Sequence, residues 1–361
     1  MEYLFQKINS FCIIRRKTKK LFMKSKKLIL FFSIFLSCSL NIIGQAPDSV
    51  KAYIDSSLEI LNKNSLYAYK VNWEKIKNEV YDSAKYAKNK SETFSALKIA
   101  FDALGDKHAA YYQYDDQYKL DNPALFERYS DSIKAAWSLG PRIITKLIDD
   151  IAYINIPFIG VGKQVDIDKF ANLIYNGIID LSKKNPKGWI IDLRLNAGGN
   201  IRPMLAGVAM FFNNRIVSYY IDKDGKATDE ASFYNGDFLI DGKIQASITR
   251  KISNSISQKI AVLIGPGTAS SGEGVAIVFK QRKKTKLFGD YSAGLANATN
   301  GFVFNDNKSY FLISTARIGN KHKKILPEFV KPDVNIKGGE SYNDLANDLV
   351  VKSAIHWLNK K

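Results

Sequence analysis

The chain has 361 residues, 46% of them hydrophobic, and a formal net charge of +18. Residues 1–45 hold nine of the Lys and Arg residues and a single acid, so the rest carries only about +10, as scattered lysines and short clusters such as Arg282-Lys283-Lys284 and Lys321 to Lys324. No aromatic-interleaved basic stripe accompanies these clusters, which excludes a nucleic-acid partner and leaves open only a mild attraction to acidic or membrane surfaces.

The first 45 residues read as a targeting segment. Met23-Lys24-Ser25-Lys26-Lys27 is basic, Leu28 to Ile43 is apolar, and Asn41 to Gln45 is a plausible cleavage zone. This is the layout of a secretory signal, and an apolar run of about 16 residues is short for a membrane span. The expected location is outside the cytoplasm, periplasmic or secreted. Lipid attachment through Cys38 is the minority reading, since Phe35-Leu36-Ser37 is a poor lead-in. Cys12 and Cys38 are the only cysteines, so the processed chain is expected to lack disulfides, thiol catalysis and cysteine metal sites.

Residues 46–112 are expected to form a small helical domain. Apolar residues recur there at three- and four-residue steps (Leu58, Leu61, then Phe94, Leu97, Ala100, Leu104) from Ser49 to about Leu104. Residues 113–150 are polar and aromatic-rich, and read as a connection or flap. From residue 151 the texture becomes α/β. Ala152 to Pro157 is a strand, Asp166 to Ser182 a helix, Trp189 to Arg194 a strand and Met204 to Phe212 a helix. Ile260 to Ile264 is a buried strand broken by Gly265-Pro266-Gly267, after which Gly274 to Lys280 is apolar enough for a buried helix. Further strands are expected at 286–288, 302–304 and 310–313. Residues 346–361 close the chain as a helix. Strands alternating with helices predict a helix-packed sheet over 151–345.

Ser270 stands where the strand at 260–264 turns into a helix. Backbone N–H groups and the helix dipole at such a terminus favour developing negative charge, which suits a serine nucleophile. The competing reading is an ordinary N-cap serine. Asp192 to Asn200 follows another buried strand, and Gly198-Gly199 permits the close approach that an oxyanion site of main-chain amides requires. Asp192 and Arg194 read as a buried structural pair, and Glu273 as a capping group. Of the three histidines, His322 lies in a lysine-rich loop and His356 on the last helix. His108 follows Leu104-Gly105-Asp106-Lys107 at a helix end and is the candidate general base. No His-x-x-x-His and no phosphate-loop ending occurs, so neither a metal nor a cofactor is expected.

Taken in order, the His108 segment, Tyr153-Ile154-Asn155-Ile156, Trp189 to Gly199, Thr268-Ala269-Ser270-Ser271-Gly272-Glu273, Gly289-Asp290 and Val330-Lys331-Pro332-Asp333 resemble the tail-specific (C-terminal-processing) serine protease family over residues 95–335. The resemblance implies a crotonase-like α/β catalytic domain over 151–345. It implies Ser270 as nucleophile and the amides of Ser271 and of Gly198 or Gly199 as oxyanion donors. The family's processing proteases place a lysine base where this chain has Leu295, so a Ser–Lys dyad is excluded there. The tricorn-like branch uses an upstream histidine and a late glutamate instead, and His108 and Glu328 match those places. Lys107 and Ala109 depart from the usual neighbours of that histidine. Residues 113–150 are too few for the family's peptide-binding PDZ module. The function implied is hydrolysis of unstructured peptides or polypeptide tails. The alternatives are an inactive peptide- or ligand-binding protein on the same fold and, more remotely, an acyl-CoA enzyme. The oligomeric state is not legible.

Overall fold

In the computed structural model, residues 45–252 and 255–360 are described, and the targeting segment with both cysteines falls outside them, Gln45 apart. Three helices come first: α1 (Asp48–Asn64), α2 (Trp73–Ser83) and α3 (Phe94–Leu104). Asn72 caps α2 by accepting from Lys75 N at 3.1 Å. Gly105 ends α3 with φ +65°, a left-handed turn that glycine adopts without strain. Their apolar stripes, Val50, Ile54 and Leu61 with Val80, Leu97 and Phe101, are buried together.

The chain continues with strands β1 (Ala110–Gln113) and β2 (Asp116–Lys119), short helices α4 (Pro123–Phe126) and α5 (Asp131–Ser138), and strands β3 (Thr145–Ile148) and β4 (Ile151–Asn155). Then follow α6 (Gln164–Ser182), β5 (Gly188–Asp192) and α7 (Ile201–Gly207). Four strands, β6 (Arg215–Asp222), β7 (Ala227–Tyr234), β8 (Asp237–Ile240) and β9 (Lys243–Ala246), precede β10 (Lys259–Ile264), α8 (Ser271–Lys280) and β11 (Thr285–Gly289). The chain closes with β12 (Ala298–Phe304), β13 (Ser309–Asn320), β14 (Val334–Asn335) and α9 (Leu349–Asn359).

The architecture is mixed α/β, built on two sheets. One has the order β14-β11-β10-β5-β4-β3 and is parallel except for β3. Its strands are apolar on both faces, as burial under helices on each side demands. Ala152, Ile154, Ile191, Val262 and Leu287 face α6, α7 and α8. Their neighbours Ile151, Tyr153, Ile190, Leu263 and Phe288 face α9. Arg194, 1% exposed, lies beneath this second face and bonds Asp192 at 2.6 Å and Asp348, the cap of α9, at 2.7 Å. The pair expected from the sequence is thus a buried triad that holds α9 to β5.

The second sheet is antiparallel, β2-β1-β13-β6-β7-β8-β9, with β12 on the far side of β13. The helical segment 46–112, expected as a separate domain, shares its core with this sheet. Tyr111 of β1 and Phe311 and Ile313 of β13 complete the cluster of α1 to α3, and the described residues form one compact unit. The expected helix Met204–Phe212 is displaced: α7 begins at Ile201, capped by Asn200, and is followed by a 3₁₀ turn at Ala209–Phe211. Strands β6 to β9 were not expected. The Asn235-Gly236 and Asp241-Gly242 turns join β7 to β8 and β8 to β9, with positive φ at all four residues, the geometry that tight hairpins require.

Candidate active site

Strands β5 and β10 are adjacent and parallel, so the turns leaving their carboxyl ends lie side by side. Clefts in parallel sheets form at such places. One turn is Leu193 to Asn200, the other Gly265 to Ser270. Thr268 Oγ1 donates to Leu193 O at 2.9 Å, Ala269 N donates to Asn196 O at 2.9 Å, and Ser271 Oγ donates to Gly199 O at 2.6 Å. Ser270 caps α8 with φ 52°, ψ −117°, a conformation that costs a non-glycine residue roughly 1–3 kcal/mol and collects at functional sites.

Only glycine fits the facing turn. A Cβ on Gly198 would lie 2.8 Å from Ser270 Cβ, and one on Gly199 would lie 2.3 Å from Ile159 O; both residues have φ near +100°. The two differ in their amides. Gly198 N already donates to Asn196 Oδ1 at 3.0 Å, whereas among the described residues the amides of Gly199 and Ser271 donate to no main-chain acceptor. Of the two glycines named from the sequence, Gly199 is therefore the one with a free donor.

Glu273 is fully buried, and both its oxygens are saturated. Oε2 accepts from Ser270 N at 2.8 Å and Leu295 N at 2.9 Å; Oε1 accepts from Gly294 N at 2.9 Å and the Ser292 hydroxyl. It caps α8, as expected, and also pins residues 292–295 beside Ser270. Burial pushes its carboxyl up to about 7, against the four donors that favour the charged form. Glu273→Gln would turn one oxygen into an amino group facing two donors. We expect a cost of about 2–4 kcal/mol, read as a Tm lowered by roughly 5–10 °C in thermal unfolding.

His108 is placed by Asp106, which is 2% exposed. Asp106 accepts from His108 N at 3.0 Å, Ser314 N at 2.9 Å and Ser314 Oγ at 3.0 Å. The imidazole Nδ1 is buried and, among the described residues, has no hydrogen-bond partner. Burial lowers the His108 pKa below the ordinary histidine value; the Asp106 charge and the Asn297 main chain oppose the shift. Asn297 Nδ2 donates to the Tyr67 hydroxyl at 2.8 Å, which donates in turn to Glu328 Oε1 at 3.1 Å. Glu328 also holds the chain, its carbonyl accepting from Ala296 N at 3.0 Å. Asn297, Tyr67 and Glu328 thus form one hydrogen-bonded chain, and the Asn297 main chain is the part of it that bears on the His108 pKa. His322 and His356 are exposed and take no part.

Ser270, Ser271, Gly199 and Asn297 line one cavity of about 640 Å³, together with Gly160 to Gly162, Arg202, Asp229 and residues of β12 and β13. The 113–150 segment packs beside it. Trp137 Nε1 donates to Leu195 O at 3.1 Å, and Arg128 bonds the carbonyls of Tyr291 and Ser292. Tyr67, Asp106 and Asn297 are the members of this constellation that sequence reasoning missed. Among the described residues no group of three or more His, Cys, Asp or Glu could hold a metal ion, and no helix is long and apolar enough to cross a membrane.

Residues 150–336 match the model of peptidase family S41. The nisin-resistance protein of Lactococcus lactis subsp. lactis is 25% identical over 317 residues, 87% of this chain and 89% of that one. A lipoprotein from Streptococcus agalactiae is similar in structure, with a TM-score of 0.65 and 21% identity over 86% of this chain and 96% of that one. The photosystem II D1 C-terminal processing protease has a TM-score of 0.57 at 14% identity, covering 85% of this chain and 97% of its own.

Proposed function

Because the chain belongs to peptidase family S41, we propose that it is an exported serine peptidase which cleaves unstructured peptides or polypeptide tails by a Ser–His mechanism on a crotonase-like catalytic domain. The observation that carries this reading is Ser270, held in a strained conformation at a helix N-terminus beside two unengaged amides. Its hydroxyl attacks the scissile carbonyl. His108, kept neutral by burial, takes the proton and returns it to the leaving amine. The amides of Gly199 and Ser271 hold the oxyanion; each such donor is worth roughly 10²–10³ in rate. Glu328 supports the base indirectly, by holding Asn297 through the Tyr67 hydroxyl. Leu295, at the place of the family's lysine, supplies no base and instead gives its amide to Glu273.

The basic-apolar layout of residues 1–45 agrees with a cell-envelope location, as do the names of two similar proteins, a lipoprotein and a nisin-resistance protein. Nisin is therefore the first substrate to try, beside unstructured peptides of matched length, with products read by mass spectrometry. Cleavage that is lost in the Ser270→Ala protein supports the assignment. Ligand binding without any cleavage would move it to a binding protein on the same fold.

Tyr67 is a positioning residue in this scheme. Tyr67→Phe removes the hydroxyl that links Glu328 to Asn297, and a lost hydrogen bond of this kind corresponds to roughly 10-fold. The expected result is kcat lowered by about that factor at unchanged KM, with a shifted acid limb in the pH profile. A change in KM alone would assign Tyr67 to the substrate groove.

A further inference from the structure

The cavity beside Ser270 contains two formal charges, Arg202 on α7 and Asp229 on β7. Every other residue lining it is neutral. Among the described residues neither charge has an ion-pair partner within 4.0 Å, and they do not pair with each other. The Asp229 carboxylate accepts only from the hydroxyl of its neighbour Thr228, at 2.9 Å, which leaves one oxygen free. The Arg202 guanidinium makes no hydrogen bond to the described residues; its main-chain N–H is the part held, by Asn200 Oδ1 at 3.0 Å. Both charges act on Tyr220, which faces Asp229 across the β6–β7 pair. Burial chiefly raises the Tyr220 hydroxyl pKa, Asp229 adds to the shift and Arg202 opposes it, and all three residues line the same cavity.

Arg202 is exposed and Asp229 half-buried, so both charges face the open groove rather than the interior. Opposite charges left unmatched in the groove of a peptidase are complementary to a ligand that brings both counter-charges. We propose that the cavity selects a peptide segment carrying a carboxylate and a cation close together, the pairing found in a C-terminal Lys or Arg residue. Arg202 takes the carboxylate in a two-pronged contact, which guanidinium geometry favours. Asp229 takes the basic side chain. Tyr220, Phe238 and Ile240 cover the aliphatic stem between them. This rests on the peptidase reading for the meaning of the cavity, but it can be tested without turnover.

Fluorescein-labelled peptides of one sequence are compared for binding to the full-length Ser270→Ala protein by anisotropy. The first ends in a free Lys carboxylate, the second in the Lys amide, the third in norleucine carboxylate, and the fourth in an amidated Glu-Lys pair. The Lys acid is expected to bind about 5-fold more tightly than either the amide or the norleucine peptide, the scale of a part-exposed ion pair, with the margin shrinking at high salt. In Arg202→Gln the acid–amide difference disappears and the Lys–norleucine difference stays; in Asp229→Asn the reverse holds. Full binding of the amidated Glu-Lys peptide would make a side-chain carboxylate an equal source of the anion. Equal affinities for the first three peptides, or preferences that survive both substitutions, overturn the proposal. Charge preference without hydrolysis by the unaltered protein would unseat the peptidase reading alone.

Discussion

Ser270→Ala is expected to lower peptide hydrolysis by about 10³-fold or more, because no neighbouring group can replace its hydroxyl. Next to it in the chain is Ser271, whose Oγ is committed to Gly199 O. Ser292 bonds Glu273 and accepts from Val330 N at 2.7 Å. Alanine keeps the Cβ that faces Gly198, so the turn and the fold should persist, and circular dichroism with the thermal midpoint checks that they do. Substrate affinity should stay within a few-fold of the unaltered protein, since the cavity is unchanged. Retained turnover in a folded Ser270→Ala protein would remove Ser270 from the chemistry.

His108→Ala is expected to cost about 10²–10⁴ in kcat/KM, the usual worth of a positioned general base. The pH profile carries a sharper signature. A histidine base works as neutral imidazole, and burial holds the His108 pKa below the ordinary value of about 6.5. Activity should therefore be level near neutrality and fall only as the pH drops through a midpoint under 6.5. Burial pushes the Glu273 carboxyl up to about 7, so a limb near 7 would report that carboxyl instead. The residual activity of His108→Ala should lack the lower limb. The unfolded chain takes up a proton on His108 before the folded one does, so this histidine lowers stability below 6.5, while the raised Glu273 pKa acts in the opposite direction as the pH falls below about 7. Initial rates must be measured where circular dichroism shows the protein intact.

The parts of the fold that were legible in the sequence are those whose local pattern and tertiary fate agree. Trp189-Ile190-Ile191 and Ile260 to Ile264 are continuous apolar runs because helices cover both faces of their sheet. The antiparallel half was harder to read. In β7 only Ala231 and Phe233 are buried among polar neighbours, and half-exposed strands of this kind show weak alternation. The Asn235-Gly236 and Asp241-Gly242 pairs were the available signal for those hairpins. At the site, Ser270, Gly199 and Ser271 announce themselves through strand–turn–helix chemistry. Tyr67 and Asn297 do not, since each lies in an irregular stretch, and 230 positions separate them in the chain. Only the packing of α1 to α3 against β13 makes them neighbours. Asp106 sits two residues before His108, but nothing local shows that its carboxylate is shared with Ser314.

The proposed coupling of Ser270 to His108 is tested most directly by covalent labelling. Intact-mass and peptide-level mass spectrometry of the protein treated with a fluorophosphonate should show one adduct, located on Ser270, forming at a rate that falls with the His108 protonation limb and drops at least 10²-fold in His108→Ala. A folded protein that acquires no adduct, or one whose labelling rate is indifferent to His108, would contradict a Ser–His peptidase.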